Sequence, residues 1–388
     1  MVRLDSLEDI LRICNWLAHS AVYFDKKTNR YRTLKTYSVV ILANAAFLTV
    51  LTGVYTWRNL QIPADGYAGY GKMFTLLIVI DSELSFFWCY SMILNGVRQK
   101  KNTLKLFNLM SAIRQTGQET IRYRVRLFIV LNIALNLIFT YGISVLRLDF
   151  SKDLYLVGFN LMFCVFSTIN DMYLILFNTL VVRIRAELTI ASERIAESIR
   201  NGRDIRLQAQ HYFRILQLPH LLTKSLGLPV LFFIALSFFE GTIQTLQMYQ
   251  LLGSSLGRSS LGEILGEVVN YAVWYLPFMV KLLVTMQLAH SATQQANEAA
   301  LSTRHFDDYS MKNTKLAKQI NKFLLKNLHQ KKKFSAFGFF NIDNSVIYTV
   351  FSSIITYLVI LIQFKQLEND LTHGNSGNET ISAAGGST

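Results

Sequence analysis

The stretch VIYTVFSSIITYLVILIQF, residues 346–364, decides the fold class of this sequence. It contains no Asp, Glu, Lys or Arg, and a helix of about 20 apolar residues crosses the roughly 30 Å hydrocarbon layer of a membrane. Six more apolar stretches of similar length precede it. The sequence therefore predicts an all-α polytopic membrane protein with seven transmembrane helices, at 37–56, 73–94, 127–146, 154–181, 227–250, 264–289 and 346–364.

The composition of the 388 residues agrees with a membrane protein. Hydrophobic residues make up 51% and charged residues 16%, whereas soluble domains carry about 25% charged residues. Disordered, collagen-like and coiled-coil chains are excluded by the same mixture. The net charge of +14 would suggest nucleic acid as the partner of a soluble chain. In a membrane protein the distribution of that charge among the loops carries the meaning, and we expect no nucleic-acid partner.

The basic residues alternate between the segments that separate the predicted spans. Four segments on one side hold 32 of the 39 Lys and Arg residues, the other four hold 6, and Lys281 lies within a span. Since cytoplasmic loops carry the excess of Lys and Arg, we expect a cytoplasmic N-terminus and an extracellular C-terminus. Asn378 begins an N-x-Thr sequence in the tail predicted to be outside and is a candidate glycosylation site. The mixed charges of the first 16 residues argue against a cleaved signal peptide.

Two cytoplasmic segments carry helical periodicity. From Leu180 to Ile199 apolar residues recur every three or four positions, so the fourth span is expected to continue as one helix below the membrane. Residues 311–330 repeat the pattern with lysines on the other faces, and they either pack on that extension or rest on anionic lipid. Residues 251–263 are rich in Gly and Ser and predict a flexible outer loop.

The predicted organisation follows from these segments. The sequence divides into a cytoplasmic N-terminal segment (1–36), a six-helix transmembrane bundle (37–294), a cytoplasmic helical region (295–345), the seventh helix (346–364) and an extracellular tail (365–388).

Catalytic and metal-binding motifs are missing from the sequence. It has no Walker loop, no H-E-x-x-H and no G-x-S-x-G, and its three cysteines have no metal-ligand spacing. We therefore expect no enzyme activity, no cofactor, no bound metal and no disulfide framework.

A polar stripe runs along the last span. Six of its residues fall within about 100° of arc on a helix, and all but Ile360 are polar. Such a stripe on an uncharged span needs either a neighbouring helix, packed through small Ser and Thr side chains, or water. One helix cannot enclose a pore, but several copies around a symmetry axis can. The members of the stripe are Thr349, Ser352, Ser353, Thr356, Ile360 and Gln363.

Other polar side chains lie within the spans, where ionisable residues are costly and are functional candidates by default. Polar groups and aromatic rings at similar depth in the outer half predict a small-molecule pocket, although each side chain can instead be bonded to a neighbouring helix. The intramembrane Asp171 is expected to be structural, and Lys281 is a further mid-span charge. The pocket candidates are Asp81, Glu83, Tyr141, Asn160, Glu240, Gln244, Asn270, Tyr271 and Trp274.

The outer end of the last span resembles a known family. Thr356 and Tyr357, five apolar residues, then Gln363 and Phe364 are similar to the signature of insect gustatory receptors in their last transmembrane helix. The preceding FGFFNID, residues 337–343, also resembles the stretch that leads into that helix. The detailed likeness covers about 30 residues, whereas size and topology fit the family over the whole chain.

Sugar-responding members of that family are similar but typically carry Glu after Thr-Tyr. The residue here is Leu358, which puts sugar in doubt and favours the broad group that includes bitter receptors.

The resemblance implies a gustatory chemoreceptor in the plasma membrane of sensory neurons. Such a receptor is a tetrameric, ligand-gated, nonselective cation channel that a small tastant opens, leading to acceptance or avoidance behaviour. The last helix of each identical or related subunit would line a central pore. The predicted topology places Gln363 and Phe364 at its outer mouth, so we expect a gate of Ile360, Gln363 and Phe364 there. Cytoplasmic helix extensions would form an anchor between subunits, and the bundle 37–294 would hold the ligand.

Two other receptor classes remain as alternatives. A G-protein-coupled receptor also has seven spans but the opposite orientation, and its Asn-Pro-x-x-Tyr element is absent because none of the four prolines follows Asn. An insect odorant receptor has a similar topology but generally lacks the Thr-Tyr…Gln-Phe pattern. A transporter would suit the intramembrane charges but not an odd number of spans without visible repeats.

Overall fold

The computed structural model describes residues 5–61, 71–113, 134, 154–255, 261–301, 315–328 and 333–384, and most of them are helical. Within these ranges the helices are α1 (Asp5–Trp16), α2 (Tyr37–Gln61), α3 (Gly71–Arg98), α4 (Lys100–Ile113), α5 (Leu154–Arg200), α6 (Arg206–Ile215), α7 (Leu218–Ser255), α8 (Leu261–Leu301), α9 (Lys315–Leu328) and α10 (Asn344–Ala384).

Six of the seven predicted spans coincide with helices of the structure, namely α2, α3, α5, α7, α8 and α10. The third predicted span, 127–146, lies outside the described residues except for residue 134. Each of the six helices runs beyond the predicted boundaries, because an amphipathic or polar sequence continues the helix after the apolar run ends. Among the described residues, three stretches have the length and composition to cross a membrane: Tyr37–Val54, Arg206–Gln250 and Asn344–Leu367.

The structure adds helical residues to two segments that were predicted to lie outside the spans. Only part of the predicted outer loop 251–263 can be a loop, because α7 continues through Ser255 and α8 begins at Leu261. The predicted tail 365–388 begins as a continuation of α10, which extends to Ala384 and includes Asn378. Neither segment contains a proline, and a single glycine costs a helix only about 1 kcal/mol relative to alanine.

The core lies where α5 and α7 meet their neighbours. α5 packs along α8 and α6, and α7 packs against α3, α4, α8 and α10. The prediction of one long helix is confirmed, since α5 has 47 residues without a break. The apolar stripe of its lower half is buried over its whole length. These residues are Leu180, Ile184, Leu188, Ala191, Ile195 and Ile199, each at most 3% exposed.

The lysine-rich helix α9 packs on protein. Its apolar side buries Ile320 and Phe323, and the Phe323 ring meets Phe213 and Tyr212 of α6 at centroid distances of 5.4 Å. Four lysines, at 315, 318, 322 and 326, lie on its exposed side. The partners of α9 are α6 and α8, and α6 in turn packs against α5. Of the two alternatives for this segment, the structure therefore favours packing over rest on a lipid surface, with α6 as the intermediary.

Two short hairpins were not predicted from the sequence. β1 (Val22–Asp25) pairs antiparallel with β2 (Arg30–Thr33) after α1. β3 (Ser335–Ala336) pairs with β4 (Phe340–Asn341) immediately before α10. Because β3 packs against α7, the second hairpin fixes the point at which α10 enters the bundle.

A buried polar network joins the N-terminal segment to three helices of the bundle. The amide Nδ2 of Asn95 on α3 donates to the Tyr173 hydroxyl (3.1 Å) and to the Ser225 carbonyl (2.6 Å), and the Tyr173 hydroxyl donates to the Leu226 carbonyl (3.2 Å). The ring of His19 meets the Tyr173 ring edge to face at 5.7 Å. Burial lowers the pKa of His19 to about 3, so the imidazole is neutral at neutral pH. The segment before α2 is thus part of the core.

Candidate functional site: the last helix and the polar cluster behind it

One face of α10 attaches the helix to the rest of the chain. Val346, Val350 and Ile354 follow one another at intervals of four and are 5–7% exposed. They face α7 and α8, the two helices against which α10 packs. Because residues four apart lie above one another on a helix, these three side chains form a narrow apolar strip, and the half-buried Ile347 packs against the same core.

The predicted polar stripe is centred about 110° around the helix from that attached face, at 100° per residue, and most of it is open. Thr349, Ser352, Thr356 and Gln363 are exposed in the single chain, and Ser353 is half-buried. The hydroxyl of Thr349 donates to the Ser345 carbonyl (3.0 Å), and that of Thr356 donates to the Ser352 carbonyl (2.9 Å). Both hydroxyls are therefore satisfied within the helix and still present lone pairs outward.

A third face of α10 is apolar and equally open. Phe351 is 44% exposed, Ile355 62% and Val359 49%. Bare apolar surface of this extent on a membrane helix needs lipid or another protein surface against it. Near the outer end, Ile360 is 38% and Phe364 57% exposed. The helix thus has one face bound within its own chain, one apolar face and one polar face.

A polar cluster lies directly behind α10. We define it as Glu240 and Gln244 of α7 and Tyr275 of α8. The Gln244 Nε2 donates to the Glu240 Oε1 at 3.0 Å. The Gln244 Oε1 and the Tyr275 hydroxyl are buried without a hydrogen-bond partner among the described residues. Buried polar groups of this kind are ordinarily paired, so the cluster has capacity for a further donor or acceptor.

Gly241 brings the cluster into contact with α10. A Cβ at this position would clash with the Tyr275 hydroxyl and would lie 2.7 Å from the Ile354 Cδ1. Only glycine therefore lets α7, α8 and α10 approach this closely. One turn further along α10, the Tyr357 ring meets the Phe238 ring edge to face at 5.4 Å. A displacement of the cluster would therefore shift the contacts of Ile354 and Tyr357 on α10.

The pocket candidates separate into those that the structure brings together and those that it does not describe in atomic detail. Glu240 and Gln244 bond to each other, and Glu83 is half-buried on α3. Tyr275, one residue after the predicted Trp274, was missed; its spacing from the apolar positions of α8 gave no distinct signal. For five candidates the structure describes the helix but not the side chain: Asp81, Asn160, Asn270, Tyr271 and Trp274. Tyr141 lies outside the described residues.

Two intramembrane charges form an ion pair that the sequence did not predict. Lys281 Nζ donates to Asp171 Oδ2 at 2.7 Å, with side-chain exposures of 11% and 3%. The pair joins α8 to α5, and 7 residues along α5 the Asn178 amide donates to the Thr285 hydroxyl at 3.1 Å. Asp171 therefore has the structural role expected of it, and Lys281 is its partner. Over the described part of the chain, no three His, Cys, Asp or Glu side chains are grouped as metal ligands would be.

Comparison with known proteins identifies the class. The sequence model of the 7tm chemosensory receptor family matches residues 10–368, so the chain belongs to that family of receptors. The family is one of chemosensory receptors and not of enzymes.

Curated relatives come from Drosophila melanogaster. The chain is 33% identical over 144 residues to gustatory receptor 68a, which covers 37% of this chain and 36% of the relative. It is 37% identical over 113 residues to gustatory and pheromone receptor 39a, isoform A, covering 29% of each. It is 34% identical over 137 residues to gustatory and pheromone receptor 32a, covering 35% of this chain and 28% of the relative. The matches thus span about a third of the relatives' length. The resemblance to insect gustatory receptors is confirmed.

The fold has also been seen before. The insect olfactory receptor OR5 from Machilis hrabei superposes with a TM-score of 0.61 over 93% of this chain and 98% of that chain, at 11% identity. Its complex with eugenol superposes with a TM-score of 0.62 over the same shares, also at 11% identity. At this identity the likeness concerns the fold, which is that of an insect chemoreceptor.

Proposed function

We propose that this chemosensory receptor is a gustatory receptor that acts as a ligand-gated, nonselective cation channel in the plasma membrane of sensory neurons. The observation that carries the proposal is the three-faced last helix: one strip attached to α7 and α8, and a separate polar stripe that its own chain leaves open. A polar stripe on a membrane helix must meet water or another polar surface.

The pore requires several copies of α10 around one axis, and we propose a tetramer of identical or related subunits. In that arrangement Thr349, Ser352, Thr356 and Gln363 face a central water-filled path. The apolar face of Phe351, Ile355 and Val359 then lies against lipid or the neighbouring subunit. This arrangement gives each open face of the helix a matching environment. Packing of the polar stripe against a single neighbouring helix would leave no water-filled path.

The gate is proposed at the outer end of the stripe. With a cytoplasmic N-terminus and an extracellular C-terminus, Ile360, Gln363 and Phe364 lie toward the outer mouth. A ring of apolar side chains can close a narrow path by dewetting, and polar side chains can support a hydrated cation. Ile360 and Phe364 then close the path and Gln363 borders it.

The ligand is proposed to bind in the outer half of the bundle, behind α10. The Gln244 Oε1 and the Tyr275 hydroxyl are buried there without a hydrogen-bond partner among the described residues, and Gly241 places the cluster against Ile354. A small molecule that bonds to this cluster can move α10 through that contact. The complex of the related fold with eugenol supports a small-molecule ligand, and Leu358 after Thr-Tyr supports a ligand other than sugar. The remaining pocket candidates would complete the site.

Cysteine accessibility tests the pore assignment. Cysteines at 356, 360 and 363 should react with a charged, water-soluble thiol reagent and reduce ligand-evoked current, because they lie on the polar stripe. Matched controls on the same helix are cysteines at 355, which is exposed on the apolar face, and at 358, which is half-buried. The controls should stay unmodified. Reaction at 358 with inert 356 and 363 would mean that the stripe faces another helix.

An insect odorant receptor is the alternative that the shared fold with OR5 favours. It would have the same architecture but respond to volatile ligands, so a panel of volatile and non-volatile compounds applied to cells that express the chain distinguishes the two.

A further inference from the structure

An open cleft lies between three helices at the end of the bundle away from the proposed gate. It has a volume of about 370 Å³. Its walls are built by Ala112 of α4, by Ala191 and Arg194 of α5, and by Gln208, His211 and Arg214 of α6. The two alanines make room because they leave the floor of the cleft without bulk. By the proposed topology, all three helices contribute cytoplasmic residues, because a single span takes only about 20 residues of the apolar stretch Arg206–Gln250 and is predicted at 227–250.

The charge of the cleft is positive. Arg194 and Arg214 lie on different walls with His211 between them, and the cleft has no carboxylate among its lining residues. His211, Arg194 and Arg214 line the same cleft, and burial, followed by the proximity of the two arginines, lowers the pKa of His211. Arg194 also interacts with the carboxyl group of Glu187, so part of its charge is already compensated, whereas Arg214 is an exposed side chain.

A neutral polar atom in the cleft needs a donor. The Gln208 Oε1 is buried and has no hydrogen-bond partner among the described residues. An anion alone would not satisfy it, because a phosphate or carboxylate oxygen is itself an acceptor. A ligand that carries hydroxyl groups as well as phosphates would donate to Gln208 and accept from the two arginines, whose planar donors suit phosphate oxygens.

The depth of the cleft bears on the source of such a ligand. Arg194 lies 13 residues beyond the predicted end of the fourth span at residue 181, on the same unbroken helix. At 1.5 Å per residue this is about 20 Å along the helix axis. The polar headgroup layer on one side of a bilayer is only about 5–8 Å thick. The position therefore favours a ligand dissolved in the cytoplasm over the headgroup of a membrane lipid.

We infer that this cleft binds a soluble phosphorylated polyol, of the chemical class of the inositol polyphosphates. Arg194 and Arg214 hold the phosphates and Gln208 accepts from a ring hydroxyl. The site joins α4, α5 and α6, so an occupied cleft also ties together the cytoplasmic ends of the helices that frame it. The binding itself does not depend on whether the receptor is a channel.

Binding can be measured with the purified full-length chain in phosphatidylcholine nanodiscs. The probe is inositol 1,4,5-trisphosphate, with unphosphorylated myo-inositol as the ligand control and isothermal titration calorimetry as the readout. We expect the trisphosphate to bind and myo-inositol not to bind. Arg214→Gln and Arg194→Gln should each weaken binding at least about tenfold, the loss expected for one charge-assisted hydrogen bond. Arg200→Gln is the matched control and should bind like the natural chain, because Arg200 is an exposed arginine of α5, the helix of Arg194, and lies outside the cleft.

Three results would overturn the inference. The first is equal affinity of the natural chain and the Arg214→Gln variant for the trisphosphate; because Arg214 is exposed, a loss of binding in this variant would not be explained by misfolding. The second is equal binding of myo-inositol. The third is that the trisphosphate does not bind whereas phosphatidylinositol 4,5-bisphosphate built into the nanodisc does, which would assign the cleft to a lipid headgroup. If Arg194→Gln elutes as an aggregate, Arg214→Gln alone decides between these outcomes.

Discussion

The buried ion pair between α5 and α8 allows a quantitative test of the fold. Asp171 and Lys281 are 2.7 Å apart with side chains 3% and 11% exposed, so neither charge has much access to solvent. Replacing Asp171 with Asn, or Lys281 with Met, leaves the other charge buried without its partner. Removing one member of a buried pair costs about 3–5 kcal/mol of the free energy of unfolding. At 1.4 kcal/mol per factor of ten, the lower value is a change of roughly 150-fold in the unfolding equilibrium.

The double variant Asp171→Asn with Lys281→Met removes both charges together. Apolar replacements of similar volume for a buried pair often leave stability nearly unchanged, and a buried Asn amide without a partner costs about 1–3 kcal/mol, so the loss should still be far smaller than the sum of the two single losses. The expected coupling energy is therefore about 3 kcal/mol or more, well above the roughly 0.3–0.5 kcal/mol within which independent sites add. The charge-reversed pair, with Lys at 171 and Asp at 281, should recover part of the stability lost by either single change.

The measurement is unfolding of the purified chain in mixed micelles of increasing denaturing-detergent fraction, followed by tryptophan fluorescence. Lys224→Met is the control, since Lys224 is exposed on α7 and surface changes stay within about 0.5 kcal/mol. Single losses that simply add in the double variant would show that Asp171 and Lys281 do not interact, and the packing of α8 on α5 at this level would then be wrong.

Three more outcomes are expected. Gly241→Ala should reduce ligand-evoked current or assembly, because the added methyl group costs about 1–3 kcal/mol in a close-packed contact. Gly53→Ala, with no atom within 4 Å of its Cβ, should behave as the natural chain in the same recordings. Equal currents for both variants would exclude the close contact with α10. Ile360→Ala and Phe364→Ala should each raise the current measured without ligand, because they remove apolar bulk from the proposed gate, and unchanged basal current in both would place the gate elsewhere. Asn378→Gln should remove a glycan and increase electrophoretic mobility of the chain from glycosylating cells if the C-terminus is outside, and a C-terminal tag labelled only after permeabilisation would reverse the proposed orientation.

The sequence could predict those parts of the site that depend on residues close together along the chain. The six members of the polar stripe on α10 share a face because helical periodicity places residues three and four apart together, and the same rule gave the buried face of α5. Glu240 and Gln244 are likewise neighbours by one helical turn. Tyr275 and Gly241 were not singled out, because their importance arises from the distance between two helices, which no local pattern reports.

The sequence by itself determined the class of protein. It did so through apolar runs long enough to cross a membrane, basic residues that alternate between the predicted loops, a polar stripe on the last helix, and a four-position resemblance that names the family. These features depend on residues near one another along the chain or on simple counts. The tertiary structure decided which charges meet. Asp171 and Lys281 are 110 positions apart, and the cleft at Arg194 and Arg214 forms only because α6 folds back against α4 and α5. The reason is physical: a hydrophobic pattern fixes which face of a helix is buried, but the partner of that face is selected by the packing of all the helices at once.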